Sequence, residues 1–202
     1  MKKYSQNNEQ DFILQYFNRK PSSQFLEIGA FSPEEFSNTR ALVESLGWGG
    51  VYVEPSPSCF KVFEEFYPKD KFPDIELLNV AIGPKDGEIE FFDSKGDAIS
   101  STSLAHKEKW EKGWKVNYDK IVVKMMSMET LLQNYSGGVE FLNLDVESTN
   151  IELFNLIPDW FWEQIKMLCI EHDSQQQYIL NKVSKFGFKE IHRNGENLIL
   201  AK

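Results

Sequence analysis

Five short apolar runs end in an acid, an asparagine or a glycine, and helix-like stretches separate them. The runs are QFLEIGA, GGVYVEP, IELLNVAIG, EFLNLDVE and QIKMLCIEHD. Near-continuous apolar runs of this length read as strands buried on both faces. Between them, TRALVESLG, PSCFKVFEEFY, SMETLLQNY, NIELFNLI and QQQYILNKVSKFG carry apolar residues at helical spacing. Strand and helix in alternation leave few architectures open. The expectation is an α/β fold: a doubly wound, Rossmann-like, mostly parallel sheet with helices on both faces. The chain closes on FKEIHRNGENLILAK, where Asn194-Gly195 between two short runs signals a hairpin. One strand at that end is therefore antiparallel.

The punctuation supplies the boundaries. Residues 9–19 place Phe12, Ile13, Tyr16 and Phe17 on one helical stripe closed by Pro21, which predicts a helical extension over 1–21. Ser37 or Asn38 caps the next helix, with Leu42, Val43 and Leu46 on one face and Gly47 at its end. Ser56 precedes a helix with Pro57 in its first turn and Phe60, Phe63 and Tyr67 inward. The third strand runs to Gly83-Pro84, and KDG turns into a further extended run, EIEFFD. Ser127 and Thr130 follow a capping pattern. Pro158 stops one helix and Ser174 caps the last. Residues 94–119 show no clean period and are the candidate lid. Trp110, Trp114 and Tyr118 in it either cover a substrate or pack on a helix surface.

At 202 residues, with 41% hydrophobic and 26% charged, the chain suits a single domain over 1–202 with a real core. A formal charge of −9 opposes non-specific nucleic-acid binding. The start, MKKYSQNNEQDF, has no apolar signal region, and no stretch reaches the roughly 18 apolar residues of a membrane span. Cys59 and Cys169 stand in unrelated contexts without metal-ligand spacing. These features lead to the expectation of a cytoplasmic protein with reduced thiols, a small-molecule or glycan partner, and neither nucleic acid nor membrane. Oligomeric state is not legible.

The acids at the run ends point to a site. In a doubly wound sheet, ligands bind beyond the carboxyl ends of the strands, where strand order reverses. Glu27-Ile28-Gly29, Glu54-Pro55, Asn79-Val80-Ala81, Asp145-Val146-Glu147 and Glu171-His172-Asp173 all fall at such ends. Each alone reads as a helix cap or a loop acid; together they read as a ligand site. Gly29 permits close backbone approach. Glu54 follows it at roughly the spacing, about 20 residues, at which an acid holds ribose hydroxyls. A dinucleotide also needs a Gly-x-Gly-x-x-Gly turn for its pyrophosphate. Here Gly29 is followed by AFSPEE, whose Glu34 and Glu35 repel phosphate. A cationic, phosphate-free nucleoside such as S-adenosylmethionine fits the acids better.

EIGAF, SNTRALVESLGWGGVYVEPSP and FLNLDVES resemble the FkbM family of S-adenosylmethionine-dependent methyltransferases, and the resemblance runs from about Phe25 to Leu200. It implies a class I methyltransferase sheet and cofactor contacts from Glu27, Gly29, Ala30, Phe31 and Asn38 near the first strand. It further implies Glu54 and Pro55 at the ribose, Asn79, Val80 and Ala81 beside adenine, and Asp145 facing the methionine ammonium or the substrate. Two departures stand out. Ser32-Pro33 replaces the usual Asp-Gly or Asn-Gly, and Pro33 offers no amide, so that loop takes another path. Ser148 stands where a Gly usually follows the Asp-x-Glu.

Family members act mainly as O-methyltransferases on sugars or small molecules. An alcohol attacks a methyl sulfonium only as its proton leaves, which calls for a base or a metal. His172 and Asp145 are the catalytic candidates, His172 as base or, alternatively, as a hydrogen-bonded strand-end histidine. His106 enters only with the lid, and His192 is expected to face solvent. Asp145, Glu147, Glu171 and Asp173 offer oxygen ligands for a divalent cation; the metal-free reading is preferred, with Glu147 as a helix cap. The rival readings are a non-catalytic nucleoside- or partner-binding module and a nicotinamide dehydrogenase, the latter opposed by the missing glycines.

Overall fold

The computed structural model describes residues 2–18, 20–135 and 137–202. Among the described residues, ten strands and eight α-helices follow one another, with strand and helix in alternation over most of the chain as the apolar runs predict. Helix α1 spans Glu9–Phe17 and precedes β1 (Gln24–Ile28), α2 (Arg40–Leu46), β2 (Gly49–Val53), α3 (Pro57–Phe66) and β3 (Ile75–Leu78). Next come β4 (Ala81–Gly83), β5 (Gly87–Asp93), α4 (Leu104–Trp114), β6 (Asp119–Ser127), α5 (Met128–Asn134) and β7 (Val139–Leu144). The chain ends with α6 (Asn150–Leu156), α7 (Asp159–Gln164), β8 (Met167–Glu171), α8 (Gln176–Val183), β9 (Lys189–Arg193) and β10 (Asn197–Ala201). Arg19, the last residue of the expected first helix, lies outside the described residues.

Seven strands form the main sheet in the order β3-β2-β1-β7-β8-β10-β9. Parallel pairs join β3, β2, β1, β7 and β8, and β10 runs antiparallel to both β8 and β9. The reversed strand is the one the Asn194-Gly195 turn demands. The period of two then sorts each strand's side chains between two cores. Leu26, Ile28, Val53, Leu142, Leu144 and Leu168 pack under α5 to α8. Phe25, Tyr52, Phe141, Met167 and Cys169 pack under α1 to α3, against Ile13, Phe17, Leu42 and Phe63.

Caps fix several helix starts. The Ser56 side chain accepts from the Cys59 amide ahead of Pro57, and Ser127 accepts from Thr130 in the same way. Other expectations shift. The α2 helix begins after Thr39, while Ser37, two residues before it, accepts from the Arg40 amide. Gln175, not Ser174, precedes α8, because Ser174 sits in the left-handed region at φ +61°. Phe60 is only partly buried, unlike Phe63 and Tyr67. His192, expected at the surface, stacks on Phe12 at 3.9 Å and meets Asn8 Oδ1 at 3.1 Å.

Two larger differences bear on the site. The third apolar run is not one strand. It breaks at Asn79-Val80, so β3 stays in the main sheet while β4 joins a second sheet of order β4-β6-β5. Asn79 causes the break: its Nδ2 donates to the carbonyl oxygens of Glu54 (2.8 Å) and Pro55 (3.2 Å), tying the chain to the tip of β2. Residues 94–119 are also more ordered than their composition suggests. Ser103 caps α4 by accepting from the His106 amide, and Ser101 pairs with Phe92 of β5. No helix among the described residues is long and apolar enough to cross a membrane.

Candidate active site

Strand order reverses beside β1, with β2 on one side and β7 on the other, so a crevice opens beyond Ile28. Gly29 stands at its base at φ +84°, and a Cβ built there would overlap the Asp145 carbonyl oxygen. Glycine is thus required by the close approach of β1 to the end of β7.

Three consecutive amides follow β1, and β2 uses all of them. The Gly29 and Ala30 N–H groups donate to the Val53 carbonyl at 3.0 and 3.2 Å. The Phe31 N–H donates to Glu54 Oε2 at 2.8 Å. None is left to cradle a pyrophosphate, which is how dinucleotide folds use this turn. Glu54 Oε1 also accepts from the Ser56 amide at 2.7 Å. The carboxylate is therefore locked from behind by two backbone donors, and each oxygen keeps acceptor capacity toward the crevice. Burial pushes its pKa up to about 7 against the pull of those two amides.

Opposite lies the tip of β7. Asp145 titrates well above the usual carboxylate range, because it is desolvated and stands beside Glu171 and Glu147. Glu147 is raised to about 8, first by burial and then by Glu171 and Asp173. It does not cap α6: Thr149 stands at the N-cap, and no side chain bonds the helix's first amides there. The backbone at Glu147 and Ser148 is left-handed, φ +55° and +72°. That is the physical reason a glycine suits position 148. Here Ser148 is held by a partner: its hydroxyl meets His106 Nδ1 at 2.7 Å. His106 Nε2 lies 3.1 Å from the Ile99 carbonyl, which can only accept, so Nε2 carries the proton and Nδ1 accepts from Ser148. Burial lowers the His106 pKa. The neutral ring and the Ser101 hydroxyl, which donates to the Glu147 carbonyl at 2.7 Å, tie the 94–119 segment to the β7 tip.

These elements line a cavity that opens to solvent. Of the residues expected at the cofactor, Gly29, Phe31, Glu54, Pro55, Val80, Ala81 and Asp145 line it. Ile82, Phe91 and Cys59 add apolar wall; Asp97, Ser100 and Thr102 come from the candidate lid. The lid residues carried no periodic signal, although a strand ending in Asp93 before a Ser-rich run marks a return toward the sheet.

Other expected residues stand behind the cavity. Glu27 is one residue before Ile28 and so faces the other side of the sheet. It accepts from Thr39 Oγ1 (2.5 Å) and Asn143 Nδ2 (3.0 Å), and burial raises it to about 8. Asn38 donates to Asn143 Oδ1 at 3.0 Å, so it braces the same network. Ala30 is buried and Asn79 fixes the β2 tip as described. His172, proposed as base, does not line the cavity. Its Nδ1 accepts from the Ser174 amide (3.1 Å), and its ring meets Gln176 and the Asn194 carbonyl. The strand-end hydrogen-bonding alternative describes it. Among the described residues no group of three or more His, Cys, Asp or Glu is arranged for a metal ion. Asn150 Nδ2 donates to both Glu171 (2.6 Å) and Asp173 (3.3 Å), two of the four acids weighed as ligands.

An FkbM methyltransferase from Methylobacillus flagellatus superposes over 90% of this chain and 44% of its own length, at 8% identity and a TM-score of 0.57. The METTL16 methyltransferase domain does so over 96% and 65%, at 10% identity and 0.51. The chain thus spans less than two thirds of either protein, and the likeness is one of fold, a class I methyltransferase sheet. A search of curated proteins returns no match. The profile of the methyltransferase FkbM domain matches residues 27–193, from the Glu27 network through both acidic tips to β9. With most of its length covered by that match, this chain belongs to the FkbM methyltransferase domain family.

Proposed function

We propose that this protein transfers a methyl group from S-adenosylmethionine to a hydroxyl of a sugar or small-molecule acceptor. The observation that carries the reading is Glu54: a carboxylate at the tip of β2, locked by two backbone amides, with its remaining acceptor capacity facing the cavity. Paired ribose hydroxyls match such a group, and the absence of a free amide among Gly29, Ala30 and Phe31 argues against a pyrophosphate.

The donor set fits the rest of that cofactor. Val80, Ala81, Ile82 and Phe91 offer an apolar slot for adenine, and Asp145 offers a carboxylate for the α-ammonium. When bound, the cofactor supplies an electrophilic methyl on a sulfonium. The protein's contribution is alignment, exclusion of water and removal of one proton. Segment 94–119, tied down through Ser101 and His106, narrows the cavity and shields it. Glu147 is the base we assign, because it lines the cavity and burial raises its pKa to about 8, which makes its ionised form a stronger proton acceptor than an ordinary carboxylate.

Isothermal titration with S-adenosylmethionine and with NADH tests the reading. Micromolar binding of the first and none of the second is expected. Preference for NADH would overturn it. Tight binding without S-adenosylhomocysteine release across a broad acceptor panel would favour the binding-module alternative.

A further inference from the structure

The cavity's charge is only partly used by that cofactor. Its lining includes four carboxylates, Glu54, Asp97, Asp145 and Glu147, and no Lys, Arg or His among the described residues. With the ribose on Glu54 and the α-ammonium on Asp145, Glu147 and Asp97 remain for whatever lies beside the methyl group. Glu147 is the telling one. No side chain among the described residues donates a hydrogen bond to its carboxylate. The nearest cationic candidate, His106 Nε2, is 3.8 Å away and gives its proton to the Ile99 carbonyl. Yet Glu147 is held firmly in place, with Ser101 on its carbonyl and His106 on the next residue. Ionising a half-buried carboxyl that has no donors is costly. A ligand that brings a cation removes the cost, and an anionic ligand adds to it.

We infer that the acceptor is a hydroxyl-bearing molecule with an ammonium group next to the methylated hydroxyl, an amino sugar or amino alcohol, selected by Glu147 with Asp97 at the mouth. The inference rests on the methyl-transfer reading above. The ammonium also prepares the chemistry, because a neighbouring cation keeps Glu147 ionised and able to take a proton. In the step itself the hydroxyl oxygen bonds to the methyl carbon as the carbon–sulfur bond breaks. The electron pair goes to sulfur, and the hydroxyl proton goes to Glu147. Phosphorylated acceptors are disfavoured, since no Lys, Arg or His among the described residues lines the cavity to receive them.

The test has two stages. Calorimetry with S-adenosylhomocysteine first establishes the cofactor site; no binding there would refute the methyl-transfer reading, and the inference with it. The loaded protein is then titrated with matched pairs: trans-2-aminocyclohexanol against trans-1,2-cyclohexanediol, and glucosamine against N-acetylglucosamine and glucose 6-phosphate. The amines are expected to bind about tenfold or more tightly than their neutral twins, and the phosphate not at all. Glu147→Gln should erase the preference while leaving S-adenosylhomocysteine affinity intact. Cofactor binding with equal affinity within each pair, no binding by either member included, would overturn the inference alone. So would a preference that survives in Glu147→Gln.

Discussion

Replacing Glu54 by Gln changes one oxygen into an NH2 group and little else. In the native site both oxygens accept backbone N–H groups, Phe31 at 2.8 Å and Ser56 at 2.7 Å, so neither can become a donor without facing another donor. One buried amide is left unsatisfied whichever way the side chain turns. That costs about 1–3 kcal/mol, which for a chain of this size lowers the melting temperature by roughly 2–4 °C per kcal/mol. On the cavity side the variant also loses one charge-assisted hydrogen bond to a ribose hydroxyl, worth about 1.5–3 kcal/mol, or roughly a 10- to 150-fold weaker Kd. Calorimetric titration with S-adenosylhomocysteine and a thermal melt of the same sample measure the two effects separately. A lower melting temperature with affinity within threefold of the parent would make Glu54 a brace for the loop after β1 and refute the ribose assignment.

Gly29→Ala is expected to lower stability by about 3–5 kcal/mol, from left-handed strain plus the overlap with Asp145. Gly47→Ala, equally left-handed but in open space, should cost only about 1 kcal/mol in the same denaturant melts. Glu27, Glu54 and Glu147 are raised to about 8, 7 and 8, so the folded protein holds protons that the unfolded chain releases near pH 4.5. Stability without ligand should therefore fall as pH rises from about 4.5 to 8, and Glu27→Gln, which removes one of the titrating groups, should flatten that fall. A melting temperature that rises over this range would contradict the raised values. His106→Ala removes a buried ring and two hydrogen bonds and should cost about 3 kcal/mol, with faster amide exchange across residues 97–106. Ser148→Gly should stay within about 1 kcal/mol of the parent, because relief of strain offsets the lost bond.

The wound sheet was legible because each strand carries its own signal: a two-faced apolar run, a capped helix after it, and Asn194-Gly195 for the one reversed strand. Gly29, Glu54 and Asp145 stand at strand ends in the sequence, and the structure brings all three to one cavity, because parallel strands of one sheet end side by side. Glu27 stands apart from the cavity for a physical reason. A strand-end acid and the residue after it face opposite sides of the sheet, and register alone does not say which side holds the ligand; here Glu27 finds Thr39 and Asn143 instead. The break at Asn79 and the ordering of 94–119 were hidden because both depend on contacts distant in sequence: Asn79 on the Glu54 and Pro55 carbonyls, His106 on Ser148. For His172 the sequence shows only an imidazole's intrinsic pKa, whereas its placement is decided by the turn to α8 and by Asn194.

A crystal structure of the protein saturated with S-adenosylhomocysteine meets the central claim most directly. The account predicts both ribose hydroxyls on Glu54, the adenine against Val80 and Phe91, and the α-ammonium at Asp145. A ribose seated away from the tip of β2, or a cavity that stays empty at saturating ligand, would contradict it.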